Sequence, residues 1–141
     1  MSDNQRFPVA AHTLAYLAHY EAFGPERAIS SVELAASIPT NPVVVRRVTG
    51  LLAQARLVGT RAGARGGAWL LRPAGEITLQ DVLRAVGGVA RLGAAPAGAK
   101  GCPVAASAPQ AVGAAIAAAD QAAAERLGDF TVADLLPAEG G

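Results

Sequence analysis

Six of the twelve Lys and Arg side chains stand in one stretch, between Leu34 and Gly75, that contains no Asp or Glu. They are Arg46, Arg47, Arg56, Arg61, Arg65 and Arg72. The 141-residue chain has a formal net charge of only +1, so its charge is segregated rather than high. Guanidiniums unopposed by carboxylates attract a polyanion, above all the phosphates of a duplex. A solvated basic face is the bland alternative, and the elements that carry the arginines decide between the two.

Those elements read as helix, turn, helix, hairpin. Ser30 precedes an apolar-periodic run and has Glu33 three residues on, the capping-box pattern. The short helix that follows stops at Pro39. Asn41 then supplies a cap and Pro42 suits a first helical position, opening a second helix to about Ala55. Its expected inward face is Val44, Val48, Leu51, Leu52 and Ala55. Two helices around a tight turn make a helix-turn-helix, in which the N-terminal part of the second helix meets base edges in the major groove. Here that part offers Asn41, Val43, Arg46, Arg47 and Gly50. Arginine can pair bidentately with guanine, and Val43 can touch a thymine methyl. Gly59 to Leu71 has apolar ends around a glycine-rich centre, a β-hairpin pattern that behind such a helix forms a wing. Its Arg61 and Arg65 are placed to reach phosphates or the minor groove. Gly63, Gly66 and Gly67 read otherwise as a flexible turn; a nucleotide loop is disfavoured because no Gly-Lys-Ser/Thr follows.

Catalytic constellations are missing from the sequence. There is no Gly-x-Ser-x-Gly, no carboxylate pair beside a His and no metal-type His/Cys cluster. His12 and His19, seven apart, read as polar positions on a half-exposed first helix from about Phe7 to Phe23. Cys102 is the single cysteine, which fits a reducing cytoplasm and rules out an internal disulfide. A lone cysteine is commonly an inert core residue. This one lies in a predicted loop between Gly101 and Pro103, two residues after Lys100, where a neighbouring ammonium favours the reactive thiolate.

The remaining elements frame these groups. Thr78 and Asp81 predict a capped helix over Glu76 to Val86, stopped by Gly87-Gly88. A Gly/Ala/Pro-rich stretch follows to about Gly101 and is expected to be mobile. A last long helix is predicted from about Pro109 to Leu127, with Val112, Ile116, Ala119, Ala123 and Leu127 on one face. Phe130 to Leu136 reads as another capped helix start. The apolar fraction is 52%, largely alanine, with 4% aromatics, so the core is helical and thinly filled. Such a chain gains by pairing with a second copy through the alanine-rich last helix. No uninterrupted run of eighteen apolar residues and no leader pattern are seen, so no membrane partner is expected.

In these features the sequence resembles the Rrf-two family of winged-helix bacterial transcription regulators, typified by IscR, NsrR and CymR. The resemblance rests on Phe7-Pro8-Val9-Ala10, on Ser31-Val32-Glu33-Leu34-Ala35 and on the helix leading into Gln54-Ala55-Arg56-Leu57-Val58. It rests further on the wing from Gly63 to Leu71 followed closely by Ile77-Thr78-Leu79-Gln80-Asp81-Val82, its most specific part, and on Cys102-Pro103-Val104. It implies a homodimer joined by the long C-terminal helix on a partly palindromic operator. Cluster-binding members hold an iron–sulfur cluster on three cysteines; here only Cys102 matches, the last of the three, so the subgroup without that motif (YwnA-like) is the nearer likeness and no cofactor is expected. Some members use a first-helix His from the partner, where His12 would stand.

The sequence therefore predicts a mainly α protein with a small β-hairpin. Residues 1–75 would form a winged helix-turn-helix that binds double-stranded DNA; residues 76–141 would carry a hinge helix, a sensor loop and a long C-terminal dimerisation helix. The expected function is a cytoplasmic, dimeric transcriptional repressor whose Cys102 responds to thiol oxidants or electrophiles. The alternative is a winged-helix interaction module docking an acidic protein; an enzyme has no supporting constellation.

Overall fold

The computed structural model describes residues 3–88 and 92–138; Val89, Ala90 and Arg91 of the Gly/Ala/Pro-rich stretch lie outside them. The chain runs α1 (Asp3–His19), α2 (Ser31–Ser37), α3 (Pro42–Gln54), β1 (Val58–Arg61), β2 (Gly67–Leu70), α4 (Leu79–Ala85) and α5 (Pro103–Leu127), with 3-10 turns at Pro25–Arg27, Ala74–Glu76 and Val132–Leu135. This is the mainly helical fold with one antiparallel hairpin that the sequence predicts.

Local chemistry sets most boundaries. The Ser30 hydroxyl accepts from the Glu33 N–H at 3.1 Å, and Asn41 Oδ1 accepts from the Val43 N–H at 2.8 Å, with Pro42 in the first turn of α3. Thr78 and Asp81 complete a reciprocal capping box at 3.0 Å in each direction. At the ends of α1 and α3 the chain turns left-handed at Glu21 (φ 55°) and Arg56 (φ 62°). The Ala22 N–H then reaches the Leu17 carbonyl and the Leu57 N–H the Leu52 carbonyl, the bonds of a Schellman cap. That cap stops α1 at His19, four residues before the expected Phe23.

The core gathers Leu14 and Leu17 of α1, Leu34 of α2, Val45, Val48 and Leu52 of α3, Leu70 of β2, Ile77, and Val82 of α4. The buried stripe of α3 is Val45, Val48, Thr49 and Leu52; Val48 and Leu52 belong to the expected face, whereas Val44 and Leu51 are half-buried and Ala55 is exposed at the helix end. The i, i+3, i+4, i+7 rule holds, but one of its positions is a threonine. Thr49 enters the core because its hydroxyl donates to the Arg46 carbonyl at 3.1 Å. Thr13 of α1 has no such partner: it is fully buried and its hydroxyl makes no hydrogen bond. An orphaned buried hydroxyl costs about 1–3 kcal/mol, so Thr13→Val, equal in shape, is expected to raise stability by about 1 kcal/mol. The check is a higher urea midpoint at unchanged m-value.

β1 and β2 pair in the register Val58↔Leu70, Gly59↔Trp69, Thr60↔Ala68 and Arg61↔Gly67. On the other side of β2, Ile29 exchanges two 2.9 Å hydrogen bonds with Ala68 and acts as a one-residue third strand. The C-terminal segment returns to this body. The Leu79 N–H donates to the Phe130 carbonyl and the Val132 N–H to the Ile77 carbonyl, both at 2.9 Å, and Val132 is fully buried. Thr131 and Asp134 form the capping box expected there, on a 3-10 turn instead of an α-helix.

α5 starts at Pro103, six residues before the expected Pro109, which lies inside the helix. Proline is well suited to a first helical position, and Pro109 merely leaves the Ala105 carbonyl without its i+4 donor. None of the 25 residues of α5 is buried. Val112, Ala115, Ala119 and Ala122 recur at three- and four-residue spacing and are all exposed. Of the expected face, Ile116 and Leu127 are instead half-buried.

Candidate nucleic-acid interface

The turn Ile38–Asn41 sets α3 against α2, and the hairpin follows α3 directly, so one groove of about 530 Å³ runs between α2, α3 and the wing. Ser31, Arg46, Gly50, Thr60 and Arg61 line it together with the glycines of the wing. Of the site residues read from the sequence, Arg46, Gly50 and Arg61 are thus brought together here.

The other proposed contacts surround them. Asn41 is exposed but its side-chain oxygen is committed to capping α3, which leaves the amide nitrogen outward. Val43 is 51% exposed at the same helix start, enough to offer a methyl contact. Arg47 and Arg65 are exposed, and among the described residues their guanidiniums make no hydrogen bond or ion pair. Gly50 presents open space where a Cβ would be, so a partner can approach the α3 backbone closely.

Two arginines are not free-standing. The Arg46 Nη1 donates to Ser31 Oγ at 3.1 Å, leaning across to α2. The Arg61 Nη2 donates to the Pro25 carbonyl at 3.2 Å and the Arg65 carbonyl at 3.1 Å. Arg61 therefore spans the wing and ties it to the Pro25–Arg27 turn. Arg72 lies apart: its Nη2 donates to the Glu76 carbonyl, and it shares a small cleft with Arg84 and Asp81. The acid-free stretch is thus divided between a groove and a second face. Sequence reasoning missed Ser31 and Thr60; a serine immediately after an N-cap, on the exposed first turn of α2, was the available signal for the former.

No carboxylate pairs with any of the six arginines among the described residues; Arg126 and Asp129 form an ion pair at the end of α5. Cys102 is exposed as the N-cap residue of α5 and makes no side-chain capping bond.

Residues 3–138 match the family Rrf2, described as an iron-dependent transcriptional regulator. YwnA of Bacillus subtilis (strain 168), named for an HTH-type transcriptional regulator, is 41% identical over 83 residues. That stretch covers 59% of this chain and 57% of the relative, so the match spans a little over half the length of YwnA. A crystal structure from Lactobacillus plantarum, assigned by name as a transcriptional regulator, superimposes with a TM-score of 0.74 at 26% identity, covering 93% of this chain and 87% of the other. CymR, the global cysteine regulator of Bacillus subtilis, shares the fold with a TM-score of 0.58 at 20% identity, covering 96% and 94%.

Proposed function

The chain belongs to the Rrf2 family of transcriptional regulators, not to an enzyme family, and from that premise we propose that it binds a partly palindromic operator as a homodimer and represses transcription in the cytoplasm. In this reading residues 1–75 bind the duplex, and residues 76–141 supply a hinge helix, a sensor segment and the pairing helix. The observation that carries it is the groove bordered by α3 and the wing, with Arg46 and Arg61 inside it, Arg47 and Arg65 unpaired beside it, and no carboxylate opposing them. The pairing is supported by α5, a 25-residue apolar helix without a buried residue. An apolar stripe of that length calls for a cover, and a second α5 supplies one of matching shape.

Selecting duplexes from a random pool tests the DNA reading directly. Against the selected site, Arg46→Ala and Arg65→Ala are each expected to weaken binding by about 5- to 100-fold while the dimer persists. If Arg65 touches a phosphate, its variant also lowers the slope of log affinity against log salt by about 1. Unchanged affinity in both variants would remove these contacts from the interface.

The family description names iron, and the donor set of this chain does not fit a thiolate-held iron centre. It has one cysteine, exposed at the head of α5, and the His12 Nε2 is hydrogen-bonded to Ser37 Oγ at 2.9 Å. Among the described residues no three His, Cys, Asp or Glu side chains gather where a metal could sit. The proposed regulation accordingly runs through the Cys102 thiol without a cluster. Peroxide would oxidise the Cys102 thiol to a sulfenic acid, one peroxide oxygen passing to sulfur and the other leaving as water, at the junction of the sensor segment with α5. Cys102→Ser is expected to match the parent in operator affinity and to lose its change on peroxide treatment; a serine variant that still responds would place the sensor elsewhere.

A further inference from the structure

On the side of α1 away from the core lies a second groove, of about 510 Å³, closed at one end by the returning C-terminal segment. It contains both histidines and both tyrosines of the chain: His12, Tyr16, His19 and Tyr20, above small residues such as Ala15 and beside Leu136. The Tyr16 and Tyr20 rings are 4.6 Å apart at 44°, and the His19 ring meets Tyr20 edge-on at 4.8 Å. Such an aromatic set offers π-faces and edges to a ring placed against it. Among the described lining residues there is no Asp, Glu, Lys or Arg, and the nearest charge named, Glu33, is bonded to the Tyr16 hydroxyl, so an anion would be desolvated without a counter-charge and a cation would find no carboxylate in the lining itself. Imidazole nitrogens and a phenol supply hydrogen bonds instead. The volume suits a molecule of one or two rings.

We propose that this groove is an effector site for a neutral planar ring bearing a hydrogen-bonding oxygen, the phenol class. The effect on DNA, which rests on the regulator reading above, follows from two hydrogen bonds that join the groove to α2. The Tyr16 hydroxyl donates to Glu33 Oε2 at 2.8 Å, and His12 pairs with Ser37. The bond to Glu33 and burial push the Tyr16 hydroxyl up to about 12, so it remains a donor through the physiological range. Ser31 of the same short α2 holds Arg46. A ring that shifts Tyr16 or His12 therefore pulls on the helix against which the DNA-facing arginine leans.

The test uses 2-naphthol and the full chain. Calorimetry is expected to find one saturable site per chain, with a dissociation constant on the order of 100 μM. Ala15→Leu, which fills the floor, and Tyr20→Ala, an exposed position that folding tolerates, are each expected to weaken binding about tenfold or more. Glu33→Ala, at an exposed position outside the groove lining, removes the acceptor of the Tyr16 hydroxyl and so cuts the link to α2. It should bind 2-naphthol like the parent yet lose the change in operator affinity, about fivefold in the parent, that saturating 2-naphthol produces. Absent saturable binding, or binding indifferent to both groove variants, overturns the site; binding with no change in operator affinity overturns its coupling. A parent that binds no duplex in the absence of 2-naphthol would instead fail the regulator reading, while calorimetry still scores the groove.

Discussion

Ala119→Glu is expected to convert the protein to a monomer and to weaken binding to a two-fold operator by about a hundredfold or more. Ala119 is exposed in the middle of the Val112, Ala115, Ala119, Ala122 stripe of α5. Alanine and glutamate have similar helix propensity, so α5 itself should stay intact. In the proposed pairing, however, each copy would bury an unpaired carboxylate against the other, and about 2.7 kcal/mol of penalty already equals a hundredfold. Losing the second copy also removes the effective concentration that lets two half-sites be held at once. Sedimentation velocity reads the first effect and a gel shift the second. An Ala119→Glu chain that still sediments as a dimer would mean that α5 is not the pairing surface.

Gly67→Ala is the most damaging single change expected in the wing. Gly67 starts β2 with φ +149°, and a Cβ there would stand 2.2 Å from the Ile29 carbonyl oxygen and 2.9 Å from the Ser30 nitrogen. Both neighbours are backbone, and Ile29 is held by its two bonds to Ala68, so neither can move aside without breaking the third strand. Ser30 is also the cap of α2, so the displacement would reach the helix-turn-helix. The expected loss is about 3 kcal/mol, a fall of roughly 10 °C in melting temperature for a chain this size. Gly63→Ala is the control. Gly63 has φ +103° but open space around a Cβ, so only backbone strain remains, about 1–2 kcal/mol. Thermal unfolding of the pair separates clash from strain; equal losses would refute the close-packing account.

What the sequence made legible was local. Asn41 with Pro42, Thr78 with Asp81 and Thr131 with Asp134 mark their turns because each cap is made by residues two or three positions apart. The wing was legible because glycines crowd a short apolar hairpin. The rotation of α3 was not: Val43, Val44 and Val45 look alike, and Thr49 reads as outward until its bond to the Arg46 carbonyl is seen. The posture of the arginines was hidden for a different reason. Arg46 meets a residue 15 positions away and Arg61 one 36 positions away, distances at which no spacing rule operates. The groove on α1 needs Leu135, Leu136 and Pro137 brought back from the far end of the chain, so two histidines seven apart could be read only as polar positions on a helix.

The return of Val132 to its place beside Ile77 has a consequence for synthesis. The hydrophobic interior that α1 begins cannot close while residue 132 is still inside the ribosome, so the nascent polypeptide carries an open apolar hole until that residue has emerged. A message cut short just before that codon would yield a product with α1 to α5 encoded and no finished interior, a natural substrate for proteolytic clearance.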